Sequence, residues 1–228
     1  MSNSTLKWIA IISMLVDHMG AVLFPQVIVF RAIGRLAFPI FAFLITEGFI
    51  HTQNINKYIM RLGVFALVSE IPFNLAFYGR WFYLGHQNIF VTLFLGLLAI
   101  TLYEKYRVVD KQKADGYLFL MLFGAFIINS DYSIFGVLMI FVFYIFKKDF
   151  KKIVIWNVII VLSMVLPNWA ANAFILNPWL ILQLGALVSL YIIHLYNGKK
   201  GKQIKYLFYM FYPVHLIFLY IASLNFFF

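Results

Sequence analysis

The chain has no cysteine, which excludes disulfides, thiolate nucleophiles and cysteine-bound metals together and leaves the redox compartment undetermined. Charge is nearly as scarce. Only 11% of the 228 residues are Asp, Glu, Lys or Arg, and only 8 are acidic. Soluble domains carry about twice that share of charge, so a water-solvated surface is excluded. There is no Pro- or Ser-rich linker, no low-complexity tract and no internal repeat, so a second domain and the duplicated halves common in transporters find no support. What fills the chain is apolar: 64% of residues are hydrophobic and 20% aromatic. They run in stretches of about 15 to 22 residues, the length that crosses hydrocarbon. The expected fold class is therefore an all-α polytopic membrane bundle, a single domain over residues 1–228, with the lipid bilayer as its solvent.

Apolar runs and polar breaks place spans near residues 6–24, 27–48, 60–78, 89–103, 117–130, 133–146, 153–169, 176–195 and 206–225, a count of about nine. The fifth and sixth are short and separated only by Ser130, Asp131 and Tyr132, which suits one tight hairpin or a re-entrant pair. A cleaved leader is not expected, because Asp17 and His18 interrupt the first apolar run. All of the 18 basic residues except Arg31, Arg35 and Arg80 fall at the amino terminus or after spans two, four, six and eight. The positive-inside rule then puts those loops and the amino terminus in the cytoplasm, and the carboxyl terminus outside. The net charge of +10 is accounted for by this topology, so no nucleic-acid partner is invoked.

Ionisable residues at bilayer depth cost roughly 2.5 to 3.5 kcal/mol each on insertion scales, so those that persist mark candidate sites. Asp17 and His18 lie mid-span in the first helix, Glu70 in the third and His215 in the last, and Arg35 lies in the outer part of the second. Dispersed, they would be expensive; the expectation is that they converge on one polar cavity. Neighbours on a helix differ by about 100 degrees, so Asp17 and His18 cannot face each other as a dyad. Lys7 and His18, eleven residues apart, share a face and stand roughly 16 Å apart along the axis. That stripe suits a long anionic cofactor with its phosphates at the surface and its reactive end inside. Arg31 and Arg35 share a face one turn apart. Pro39, Pro72 and Pro213 each free a carbonyl four residues back, next to Arg35, Glu70 and His215 in turn, so kinks are expected at three of the polar sites.

Plainer readings stand beside these. A single intramembrane ion pair can serve only to fix helix register. Asn88 and Thr92 fit ordinary interhelical hydrogen bonding, and His51, His86 and His194 read as surface residues near loops or span ends. Tyr and Trp near span ends read as interfacial anchors. No histidine pair has the local spacing of a metal site, and none is expected.

Several segments carry a family resemblance: Leu6-Lys7 and Asp17-His18; Arg31 with Gly34-Arg35-Leu36-Ala37-Phe38-Pro39; Glu47-Gly48; Asn54, Tyr58 and Arg61; Ser69-Glu70-Ile71-Pro72-Phe73-Asn74; Asn88 with Thr92; and Tyr212-Pro213-Val214-His215. Together they resemble the TraX family of membrane proteins, linked to amino-terminal acetylation of F-type pilin. A more distant resemblance is to acyltransferase-3 membrane enzymes, whose first helix carries an Arg, ten residues and a His; here Lys7 stands in the Arg position. The resemblance implies an acetyl-CoA-dependent N- or O-acetyltransferase with an acyl-CoA donor and an unidentified peptide or glycan acceptor. His18 is then the expected general base, Arg35 with Asn74 the oxyanion stabiliser, Asp17 and Glu70 the residues that hold the arginine and histidine side chains, and His215 a second proton carrier. Lys7, Lys57 and Arg61 lie where cofactor phosphates could be held, and Arg31, Glu47, Asn88, Thr92 and Tyr212 are further candidate contacts. The competing expectation from the same His, Asp and Glu set is a proton-coupled secondary transporter.

Overall fold

The computed structural model describes residues 1–171, 182–202 and 205–226. Its elements are α1 (Asn3–Val22), α2 (Ile28–Gly34), α3 (Ala37–His51), α4 (Ile55–Tyr78), α5 (Ile89–Tyr106), α6 (Lys111–Ile127), α7 (Ser133–Ile145), α8 (Phe150–Ala171), α9 (Val188–His194, led by a 3-10 turn over Gly185–Leu187) and α10 (Lys205–Phe226). Among the described residues there is no β-strand, only an isolated bridge between Gln87 and Ser130.

Helix starts follow short polar side chains that accept from otherwise unpaired N–H groups of the first turn. Ser2 accepts from Thr5 N at 3.2 Å, Asn54 from Lys57 N at 2.9 Å, Asn88 from Phe90 N at 3.0 Å and Asp110 from Lys113 N at 2.9 Å. Helix α4 ends on Gly79 at φ 63°, where the missing Cβ makes the left-handed turn cheap.

Each expected span contains a helix, but the helices differ in reach. Among the described residues five segments are long and apolar enough to cross a membrane: Asn3–Val22, Ile28–His51, Ile55–Tyr78, Ile89–Tyr106 and Tyr206–Asn225. Ser133–Ile145 and Leu182–His194 are apolar but shorter. The beginning of the expected span at 176–195 lies outside the described residues. Span two is not the kinked helix that Pro39 suggested. It breaks into α2 and α3 at Arg35-Leu36, and Pro39 then sits in the first turn of α3, where its missing N–H costs nothing. Pro72 and Pro213 remain inside α4 and α10.

Helix α5 packs on α4, α6 and α7, while α1 packs on α2, α3 and α10. Leu6, Ala10, Ile40, Leu62, Leu97, Ile140, Phe143 and Leu216 form the core where these layers meet. Met60, Val64, Leu67, Val68 and Ile71 stand exposed along one face of α4, as a hydrocarbon contact requires. The α6–α7 hairpin expected around Asp131 is present. Its turn is stitched to the α4–α5 loop, with Gln87 N donating to Asn129 O at 3.1 Å and Asp131 N to Gln87 O at 3.0 Å. Thr92 Oγ1 donates to the Asp131 carbonyl and holds the same turn against α5.

Asn88 joins α5 to α4. Its Nδ2 donates to Ala66 O at 2.8 Å and to Glu70 Oε2 at 2.5 Å, while its Oδ1 caps α5. Asn88→Ala should therefore strand a carboxylate and a carbonyl and destabilise the fold by about 1–3 kcal/mol. A melt in detergent should show a clear fall in midpoint; an unchanged midpoint would contradict this role.

Candidate active site

The break between α2 and α3 lets two arginines turn toward α1. Arg31 Nη1 donates to Asp17 Oδ2 at 2.7 Å and to the Asp17 carbonyl at 3.2 Å. Gly34 makes the approach possible, because a Cβ there would fall on the Asp17 side chain. Arg35, one turn on, donates to Tyr132 Oη at 3.5 Å, and its Nε is buried without a partner. Asp17, His18, Arg31, Gly34, Arg35, His86, Asp131 and Tyr132 line one cavity of about 200 Å3, called here the polar chamber. His86 Nε2 stands 3.9 Å from Asp131 Oδ1 at its rim. Tyr132, at φ 59°, takes a backbone conformation rare for a bulky residue and stacks on Phe38 at 3.9 Å.

His18 leaves α1 on a different face from Asp17 and meets α10. Its Nδ1 lies 2.7 Å from His215 Nε2, with the two rings within 7° of parallel. His215 Nδ1 lies 2.7 Å from the Phe211 carbonyl. A carbonyl can only accept, so His215 carries its proton on Nδ1 and offers the lone pair of Nε2. His18 Nδ1–H must then be the donor, which leaves His18 Nε2 bare. Phe77 and Tyr212 meet the His18 ring edge-on at 5.3 and 5.8 Å and fix its plane. The arrangement is that of a base oriented by a second group, itself oriented by a third.

A second cavity, of about 430 Å3, runs toward the amino-terminal end of α1. Lys7, His51, Arg61 and Lys200 supply its basic side chains, and Tyr58, Phe90, Phe208, Tyr209 and Tyr212 its aromatic wall. We call it the basic chamber. Lys7 Nζ lies 5.2 Å from the Phe208 ring centroid and the Arg61 guanidinium 5.7 Å from that of Tyr58. Glu47 accepts from Tyr196 Oη at 2.8 Å across the chamber, and burial together with this bond pushes the Tyr196 phenol up to about 12. At the mouth, Asn3 N and Ser4 N donate to Lys199 O and Lys200 O at 2.8 and 3.1 Å, tying the start of α1 to the loop before α10. A chamber with this lining can hold an anionic, partly apolar cofactor. Among the described residues no three His, Asp or Glu side chains gather as a metal would need.

The structure thus brings Asp17, His18, Arg31 and Arg35 together, adds His215 through His18, and gathers Lys7, Glu47, Arg61 and Tyr212 in the adjoining chamber. It does not bring Glu70 to them. Glu70 lines neither chamber and is engaged by Asn88, so the expected convergence of five ionisable groups reduces to four, and Asp17 holds Arg31 rather than Arg35. Asn74 is fully buried, close to Glu70, and lines neither chamber. Lys57 contributes its backbone N–H to the cap of α4, Asn88 ties the start of α5 to α4, and Thr92 ties α5 to the α6–α7 turn.

His86, which the sequence places among surface residues, lines the polar chamber, as do Asp131 and Tyr132, which the sequence marks only as a hairpin break. The available signal was an acidic residue in a three-residue break between apolar runs.

Gly34→Ala should push Asp17 off Arg31 and cost about 1–3 kcal/mol by overpacking. Combining it with Asp17→Gly should recover part of the loss; additive losses in the double-mutant cycle would show that the two residues do not share the space.

The TraX protein family model matches residues 2–223. A protein of Dichelobacter nodosus described as a probable fimbrial assembly protein FimC, serogroup H1, is 31% identical over 211 residues, covering 86% of this chain and 84% of that protein. An uncharacterized protein of Rickettsia prowazekii (strain Madrid E) is 31% identical over 91 residues, which are 40% of this chain and 33% of that protein. No solved structure matches. With the family match extending over nearly the whole chain and the fimbrial relative aligned along most of its length, the chain belongs to the TraX family.

Proposed function

We propose that this protein is a membrane-embedded acyltransferase that moves an acetyl group from acetyl-CoA to the amino group, or a hydroxyl, of an exported pilin-like peptide or membrane-associated glycan. The observation that carries the reading is the bare Nε2 of His18, held in the polar chamber by the chain His18–His215–Phe211 carbonyl. A neutral imidazole with one nitrogen committed and the other open is a general base near neutral pH.

The protein crosses a bacterial cytoplasmic membrane about nine times with its amino terminus inside. Lysines cluster at the loops on the basic-chamber side, so that chamber opens to the cytoplasm where acyl-CoA is made. Lys7, Arg61, His51 and Lys200 hold the phosphates, and the aromatic wall takes the pantetheine arm. The acceptor enters the polar chamber from the other face. Its uncharged nitrogen attacks the thioester carbonyl while His18 Nε2 takes the nitrogen's proton; the C–N bond forms, the C–S bond breaks, and the proton passes to the departing sulfur, releasing free CoA thiol. Arg35, with a donor left over, faces the developing oxyanion, and Arg31, held by Asp17, supplies a second positive charge nearby. The fimbrial relative favours a pilin-like acceptor.

The test is thiol release from acetyl-CoA by purified protein with a peptide amine present. His18→Ala should abolish it, and His215→Phe, which removes the orienting acceptor, should lower turnover roughly 10²- to 10⁴-fold with the protein still folded. Retained turnover in His18→Ala would reject the assignment. Proton-coupled uptake into vesicles without thiol release would instead support a transporter.

A further inference from the structure

The two chambers adjoin. Met14, Phe41 and Ile89 line both, so these three side chains form the partition where the cavities adjoin. They come from three elements: Met14 from α1, Phe41 from α3 and Ile89 from the first turn of α5. Met14 and Ile89 are each only 8% exposed, so the partition is closely packed. Met14 lies one turn before His18 on the same face of α1, directly beside the proposed base. Tyr212, which lines the basic chamber, touches both His18 and His215 from the other side.

We propose that Met14, Phe41 and Ile89 form the acyl-chain selector of the site, a neck that admits acetyl and excludes longer acyl groups. The inference rests on the acyltransfer reading above. A thioester carbonyl carbon has three substituents. With sulfur leading back into the basic chamber and oxygen turned toward the arginines, the remaining alkyl group must lie against the neck. The neck lining is wholly apolar and carries no donor or acceptor, so it suits an alkyl group and nothing charged. Each methylene beyond acetyl must displace a packed side chain, and Met14, unbranched and adaptable, is the one whose truncation opens the most room at least backbone cost.

The experiment compares kcat/KM for acetyl-, propionyl- and butyryl-CoA in the full-length protein, using thiol release with a peptide amine, for the native chain and for Met14→Ala, Met14→Val, Ile89→Ala and Phe41→Leu. The native protein should prefer acetyl over butyryl by about 100-fold or more, two methylenes at the roughly 10-fold or more that a tight apolar pocket achieves for each. Met14→Ala should shift the butyryl-to-acetyl ratio upward by about 10-fold or more, with Ile89→Ala and Phe41→Leu shifting it in the same direction. The graded set keeps the test informative if one variant does not fold, as judged by size-exclusion chromatography. Native turnover with a ratio that no folded variant moves overturns the selector while leaving the acyltransfer reading intact. Absence of thiol release from any acyl-CoA by the native protein overturns both.

Discussion

The hydrogen bond between His18 and His215 is the constraint on which the site depends. It joins the first helix of the chain to the last, and it consumes one nitrogen of each ring. Because His215 is already committed to the Phe211 carbonyl, the direction of the bond is forced, and with it the position of the one open lone pair. Edge-on contacts from Phe77 and Tyr212 hold the plane of the ring that carries that lone pair. Orientation of this kind costs nothing at the moment of reaction, which is why a preset base is more useful than a mobile one.

Around that bond the fold manages charge at membrane depth by pairing it. Asp17 and Arg31 neutralise each other at 2.7 Å, and the broken span supplies the geometry, since a continuous helix would not leave Gly34 and Arg35 at a bend facing α1. Arg35 is left with a weaker partner, Tyr132, presented by a strained hairpin turn that Gln87 and Thr92 hold in place. Asp17 and Glu70 each commit one carboxylate oxygen to a helix-joining contact, with Arg31 and with Asn88, whereas the open nitrogen of His18 and the unpartnered Nε of Arg35 face the polar chamber's chemistry. Function is best sought where capacity remains.

Much of this was legible in the sequence because position along a helix is legible. Asp17 and His18 had to diverge, and Lys7 and His18 had to share a stripe; the structure places Lys7, Met14 and His18 along the walls of the two adjoining chambers. Depth also singled out His18 and His215. What depth cannot give is the rotation of one helix against its neighbours. Glu70 has the right height but turns to Asn88, and the proline rule located a disturbance near Arg35 without revealing that the helix stops there. His86, Asp131 and Tyr132 escaped because loop residues follow no period; only tertiary contacts through Gln87 and Thr92 fold them over the chamber.

The central claim, that His18 is held neutral with its proton on Nδ1 and its Nε2 open, is tested most directly by 15N NMR of the imidazoles in selectively labelled protein in nanodiscs near neutral pH. The account predicts that both His18 and His215 show the Nδ1–H tautomer, with a hydrogen-bond coupling between His18 Nδ1 and His215 Nε2 that disappears in His215→Phe. A His18 ring protonated on Nε2, or one with no coupling to His215, would contradict it.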